Sequence, residues 1–233
     1  MAIPLRHENK FFITRTQYLS LRSVLKAALN PDPHTNENGQ YHIRSLYFDT
    51  VFNDAYVDKL NGVQDREKYR MRIYNFSDRE IFMECKSKYG SFISKRSVQI
   101  PRDLADQLIA GDPSDLENTS SGLLRDVYKE MRTRLLRPVV IVDYLREPYL
   151  HPAEEVRITF DMQLRTGLNS IDIFNPDVPT VPPLSHDEII LEVKYNRVLP
   201  PYIRDLISSA CPQPVQTAIS KYTLCRRFEN MEA

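Results

Sequence analysis

Between residues 67 and 75 the chain reads EKYRMRIYN, so that Lys68, Arg70 and Arg72 alternate with Tyr69, Met71 and Ile73. A period of two is the repeat of an extended strand, whose successive side chains point to opposite faces. The alternation therefore excludes a helix here and makes one strand face positive. Side chains at i and i+2 lie about 6.5–7 Å apart, and two unit charges at that spacing repel by roughly 2 kcal/mol at an effective dielectric near 20. Such a face needs carboxylates, water or a bound anion to offset it.

The pattern recurs along the chain. Alternation and β-branched or aromatic content predict strands at 6–13, 41–48, 67–75, 80–88, 92–100, 138–146, 154–161 and 188–195. Glu8 and Lys10 share a face on the first, Glu84, Lys86 and Lys88 on the fourth, Tyr144 and Arg146 on the sixth. Arg157, Thr159 and Asp161 follow on the seventh, Glu192 and Lys194 on the eighth. On most of these strands the other face is apolar, as with Val156, Ile158 and Phe160, or Leu191 and Val193. Meander spacing favours antiparallel pairing, and eight strands can close a barrel whose interior holds side chains or one slim ligand. Helical periodicity marks 16–29, 49–60, 121–136, 202–210 and 216–228. No repeat or linker interrupts residues 1–233, so we expect one α+β domain, an eight-stranded antiparallel β-barrel with flanking helices.

For one strand alone, a charged face is most simply the solvated side of a half-buried sheet. Recurrence of Arg and Lys on so many strands, with carboxylates two residues away, favours the inverse arrangement. Charged faces turned inward and helices over the apolar outside would make a basic tunnel. Arg suits bidentate phosphate contact, and Glu oxygens are hard ligands for Mg2+ or Mn2+.

Composition narrows the classes further. Lys plus Arg and Asp plus Glu are equal at 31 each, which argues against bulk electrostatic binding of nucleic acid or anionic membrane. Six widely spaced glycines allow neither a dinucleotide fingerprint nor a P-loop, so a triphosphate would have to be held by side chains. Cys85, Cys211 and Cys225 have no metal or disulfide spacing and read as small core residues. His7, His34, His42, His151 and His186 are scattered and read as surface or loop positions. No apolar run approaches a membrane span, so a cytoplasmic location is expected and any membrane association would come through a separate membrane protein. Nothing in the sequence specifies an oligomeric state.

The stretches RHENKFFI, IRSLYFDT, KYRMRIY, MECKSKYG, SKRSVQI, VDYLREPY, EVRITFD, ILEVKYN and ISKYTLC, in this order from residue 6 to 225, resemble the VTC (vacuolar transporter chaperone) domain. That is the polyphosphate polymerase branch of the triphosphate tunnel metalloenzymes, a CYTH-like superfamily. The resemblance implies phosphate-binding cations at Lys10, Arg70, Arg72, Lys86, Arg146, Arg157, Lys194 and Lys221, with hydrogen bonds from Tyr144 and Ser220. It implies a Mn2+ or Mg2+ ion on Glu192, assisted by Glu8. The family also has a cation in SKRSVQI, where parity does not separate Lys95 from Arg96; we assign Lys95. The superfamily's E-x-E-x-K signature reads Arg6-x-Glu8-x-Lys10 here, which fits the polymerase branch better than the hydrolytic one.

The implied reaction transfers the γ-phosphate of ATP to a growing inorganic polyphosphate chain, with no nucleic acid partner. The alternatives are an inorganic or nucleoside triphosphatase in the same tunnel, or a non-catalytic polyphosphate-binding regulatory module. Five residues are weighed individually. Asp161 is expected to orient Arg157, assist the metal, or end its strand. Glu84 is expected to pair with a neighbouring cation, with metal ligation as the alternative. Arg44 reads equally well inward or outward, and Tyr47 and Asp49 are expected to serve the strand end and the next helix cap.

Overall fold

The computed structural model describes residues 7–90, 92–151, 156–185, 188–212, 215–216 and 218–232. Arg6, His186 and the first two residues of the strand predicted at 154–161 lie outside these. The strands are β1 (His7–Ile13), β2 (Asn30–Pro31), β3 (Tyr41–Asp49), β4 (Arg66–Tyr74), β5 (Ser77–Tyr89), β6 (Phe92–Ile100), β7 (Arg137–His151), β8 (Val156–Thr166), β9 (Ile189–Tyr195) and β10 (Val215–Gln216). The helices are α1 (Arg15–Ala28), α2 (Asp54–Leu60), α3 (Arg102–Ile109), α4 (Gly122–Arg134), α5 (Pro201–Ala210) and α6 (Lys221–Glu232).

The strands form one antiparallel sheet in the order β10-β1-β9-β8-β7-β3-β4-β5-β6, with β2 added beside β7. Eight of them are long, and all eight were legible as alternating segments. The sheet curls until its ends face each other: Lys86 of β5 reaches Glu8 of β1 at 2.7 Å, and the His7 and Phe92 rings lie 5.7 Å apart. Among the described residues no backbone ladder joins β6 to β1, so side chains close the seam of a half-barrel.

Local chemistry sets these elements. Thr14 caps α1 by accepting from Gln17 N at 3.3 Å while Gln17 Oε1 accepts from Thr14 N at 2.9 Å, a reciprocal capping box. Asn75 and Phe76 have φ of 50° and 57° and join Tyr74 to Ser77, the left-handed pair that a two-residue type I′ hairpin requires. Helix α3 escaped the sequence reading because its eight residues, with Leu104, Ala105, Leu108 and Ile109 as the apolar stripe, make too few turns for a period to register. Strand β7 runs past the predicted end at 146 through Pro148, which falls between the last partner of β3, Arg146, and the first partner of β2, Tyr149, where that edge has no ladder to lose. The last helix begins at Lys221, not 216; residues 215 and 216 instead pair with β1.

The outer face is apolar and covered. Helices α1 and α5 pack on the outside of β1, β8 and β9 around Leu21, Leu25, Ile158, Phe160, Leu191 and Ile203. On the other half, α3 and α4 cover Met71, Ile73, Met83 and Cys85. The inner face divides. Part of it, including Val140, Val142, Leu164 and Ile190, packs with Tyr222 and Cys225 of α6. Gln163, at φ 53°, carries the extra residue of a bulge in β8 that lets Asp161 and Leu164 both face inward. The remaining inner face is charged.

A cation-lined cavity as candidate functional site

The charged inner face and the N-terminal end of α6 enclose a cavity of about 720 Å3 lined by thirteen Lys and Arg side chains and two carboxylates, Glu8 and Glu192. It receives Lys10 from β1, Arg70 and Arg72 from β4, Lys86 from β5 and Lys95 from β6. Tyr144 and Arg146 come from β7, Arg157 from β8, Glu192 and Lys194 from β9, Ser220 and Lys221 from the start of α6. Every residue that the sequence singled out for a site thus lies on one cavity. Arg96, on the opposite parity of β6, turns outward to Asp126. Arg44 turns outward too: its Nη2 donates to Asp143 Oδ2 at 2.8 Å, and it is 1% exposed.

Carboxylates organise the wall in three groups. Glu84 accepts from Arg70 Nε and from Lys95 Nζ, each at 2.7 Å, with Arg72 Nη1 at 3.8 Å, so it pairs with cations as expected. Asp161 accepts from Arg146 through Nε at 2.6 Å and Nη2 at 2.7 Å and pairs with Lys221 at 2.5 Å. It therefore holds Arg146, not Arg157. Glu8 and Glu192 share the third group: Glu8 pairs with Lys86 at 2.7 Å and Lys10 at 2.9 Å, Glu192 with Lys194 at 3.1 Å and Arg146 at 3.2 Å.

Burial alone would force these groups neutral; their partners decide otherwise. Burial raises the Glu84 carboxyl, yet Arg70, Arg72 and Lys95 hold it far below the usual carboxylate range. Asp161, buried but beside Arg146 and Lys221, sits at about 2. Glu192 is likewise held well below its ordinary value, against burial, by Lys194 and Lys10. Burial pulls Lys86 down to about 8 despite Glu8. The Tyr144 phenol is lowered, because Arg146 and Arg72 outweigh its burial. Its hydroxyl accepts from Arg72 Nη2 at 3.2 Å.

Sequence reasoning missed part of the lining. Lys59, Arg66, Lys68, Lys88, Tyr41, Tyr47 and Tyr74 also face the cavity. Parity with Arg70 and Lys86 marked Lys68 and Lys88 as same-face residues, and Arg66 shares that parity but lies one residue before the strand predicted from 67; Lys59, in the last turn of α2, carries no periodic signal. Tyr47 does not serve a helix cap; its hydroxyl accepts from Arg70 Nη1 at 3.0 Å and its ring stacks on Tyr222 at 5.1 Å. Asp49 does cap α2, accepting from Ala55 N at 2.9 Å and Tyr56 N at 3.1 Å. His7, His42 and His151 lie on strands instead of loops.

A small divalent cation fits this donor set. Mg2+ and Mn2+ prefer carboxylate and phosphate oxygens and are often held by one or two carboxylates plus substrate phosphates and water. Glu8 and Glu192 supply two ionised carboxylates amid cations that would hold phosphates. Among the described residues, no group of three or more His, Cys, Asp or Glu gathers to cage a metal without such a substrate.

The architecture is a half-barrel with a cation-lined interior, two carboxylates within it and helices outside. The chain belongs to the VTC domain family, whose model matches residues 5–228. The fold is similar to that of HpAC1 from Hippeastrum, a candidate adenylyl cyclase reported to have a dominant triphosphatase activity: TM-score 0.58, 13% identity, 97% of this chain and 96% of that one covered. It is also similar to a candidate adenylate cyclase from Bacillus halodurans, with TM-score 0.53, 11% identity and coverage of 94% and 97%. A third, from Vibrio parahaemolyticus, gives TM-score 0.52, 9% identity and coverage of 96% and 98%. No curated protein matches the chain in sequence. No helix among the described residues is long and apolar enough to cross a membrane.

Proposed function

We propose that the protein is a metal-dependent polyphosphate polymerase that transfers the γ-phosphate of ATP to an inorganic polyphosphate chain inside the cavity. The observation that carries this reading is the imbalance of thirteen cations to two carboxylates in one enclosed space. Binding neutral or cationic ligands would leave that repulsion in place; a string of phosphates would relieve it. Membership of the VTC family supports the same class of substrate.

In this reading Arg70, Arg72, Arg146, Arg157, Lys86 and Lys221 grip the phosphates and stabilise the charge that moves toward the bridging oxygen as the γ-phosphorus–oxygen bond breaks. Lys10, Lys95, Lys194, Tyr144 and Ser220 orient the chain. An oxygen of the acceptor phosphate forms the new bond to phosphorus in line, and ADP leaves. The wall is preorganised, because Glu84 and Asp161 already fix four of these cations, and preorganised donors need no rearrangement as charge develops. Glu192 and Glu8 would hold the Mn2+ or Mg2+ ion, which supplies charge neutralisation at phosphate oxygens.

A second reading, triphosphate hydrolysis with water as acceptor, is favoured by the triphosphatase activity reported for the structurally similar HpAC1. One experiment separates them: incubation with ATP and Mn2+, with and without a short polyphosphate primer, followed by phosphorus NMR. Growth of internal phosphoanhydride signal together with ADP is the expected result. Orthophosphate without chain growth would establish the hydrolase. Tight polyphosphate binding without turnover would leave a binding module.

A further inference from the structure

Arg157 is tethered differently from the other cavity cations. Its Nη2 donates to Asp32 Oδ2 at 2.9 Å and to Tyr41 Oη at 2.7 Å, while its Nε is buried with no partner. The side chain is 35% exposed, against 8% for Arg146, so it stands at an opening of the cavity. Asp32 follows β2 and is itself only 5% exposed.

The two oxygens of Asp32 divide their work. Oδ1 accepts from His34 N at 3.0 Å and lies 2.9 Å from His34 Nδ1, and Thr35 Oγ1 donates to the Asp32 carbonyl at 2.7 Å. These contacts lock the turn after β2 and leave Oδ2 facing Arg157. Glu84 and Asp161 each gather two or more cavity cations, but Asp32 serves Arg157 alone among them. A long flexible side chain loses rotamer freedom when it grips a ligand, and fixing it beforehand removes that loss.

We infer that Asp32 is a positioning residue: by taking Nη2 together with Tyr41, it holds the Arg157 guanidinium at the edge of the cavity and turns the exposed part of its fork toward a phosphate oxygen. The inference rests on the phosphate-binding reading above. The competing physical effect is neutralisation, in which Asp32 merely weakens the pull of Arg157 on an anion. The two effects have opposite signs.

The test is calorimetric titration of inorganic tripolyphosphate, in the presence of Mg2+, into the wild type, Asp32→Ala, Arg157→Ala and the double variant. Asp32→Ala is expected to weaken binding roughly tenfold, the range of a hydrogen bond to a charged group. In the Arg157→Ala background the same change should weaken nothing. Asp32→Asn keeps the shape of the turn and runs the same cycle if the alanine variant does not fold, with an expected loss of about threefold that again disappears without Arg157. Binding as tight as wild type or tighter in Asp32→Ala would overturn the proposal in favour of neutralisation. Equal weakening in both backgrounds would overturn it too, since Asp32 would then act on the fold and not through Arg157. A wild type that ignores tripolyphosphate would defeat the phosphate-binding reading and this proposal with it.

Discussion

The cavity holds two populations of cations with the same chemistry and opposite circumstances. Along the wall, Arg70, Lys95, Arg146, Lys221, Lys10, Lys86 and Lys194 each have a carboxylate at 3.1 Å or less. Lys59, Arg66, Lys68 and Lys88 also line the cavity, and among the described residues none of the four makes an ion pair. The paired set is fixed in place, and its two arginines are held above the ordinary arginine range against burial, Arg70 by Tyr47 and Glu84 and Arg146 by Asp161. The unpaired set crowds itself. Burial, then Arg66, Lys10, Lys59 and Lys86, push Lys68 well below the ordinary lysine range, and burial with Arg66, Lys10 and Lys88 lowers Lys59. What separates a rigid charged wall from a strained charged end is therefore the carboxylate behind each cation, not the cation.

The sharpest way to break this comparison is at the shared carboxylates. Glu192→Gln should reduce metal-dependent turnover by more than about a thousandfold, through loss of the ligand for an ion worth several kcal/mol of charge stabilisation; ADP release across a Mn2+ titration reads it. Full activity would remove Glu192 from the metal role.

Next come the paired arginines. Arg70→Ala or Arg146→Ala should lower kcat/KM by about 2–4 kcal/mol, the range of a single electrostatic donor. Arg70→Met should also destabilise the fold by about 3 kcal/mol in urea unfolding. That is the lower end for breaking a buried ion pair, because Lys95 and Arg72 stay near Glu84. Arg70→Met unfolding at the wild-type midpoint would mean that the wall pairs contribute nothing.

At the unpaired end the sign reverses. Lys68→Met should stabilise the ligand-free protein by about 1 kcal/mol, by removing like-charge repulsion, while weakening tripolyphosphate binding several-fold. A loss of stability would show that the bond from Lys68 Nζ to Ser220 Oγ, 2.9 Å, outweighs the crowding.

The smallest effects concern pH. Lys68 has a folded pKa below its unfolded value, so between the two the unfolded chain binds more protons and stability rises with pH. Asp161 adds a slope of the same sign at lower pH, because its folded value is depressed as well. Its stabilisation is present above the unfolded value near 4 and is lost as pH falls through about 2. An incoming phosphate chain favours the charged forms of Lys68 and of Lys86, which sits at about 8, so tripolyphosphate binding should take up protons at alkaline pH, measurable by calorimetry in buffers of different ionisation heat. Zero uptake would mean that both lysines keep their charge in the empty cavity.

The wall was legible because strand parity is a strict code. Lys10, Arg70, Lys86, Arg146 and Glu192 could be placed on inner faces from alternation alone, once the charged faces were turned inward. The pairing was not legible, since Asp161 meets Arg146 across β7 and β8, four residues along β8 from Arg157, and α6 supplies Lys221 from the far end of the chain. Lys59 escaped because a helix of seven residues brings one side chain to the cavity by its position, with no repeat to announce it. Arg44 shows the limit of parity: its even-numbered place on β3 became meaningful only when Asp143 appeared opposite.

The seam between β6 and β1 bears on mechanics. In a ring joined everywhere by strand pairing, the bore is quantised by register, and widening it means breaking a row of cooperative bonds. Here the joint includes Lys86 against Glu8 and the ring of His7 against Phe92, so its width follows side-chain rotamers. The half-barrel is a cuff with a clasp, and both halves of that clasp, Lys86 and Glu8, also face the cavity.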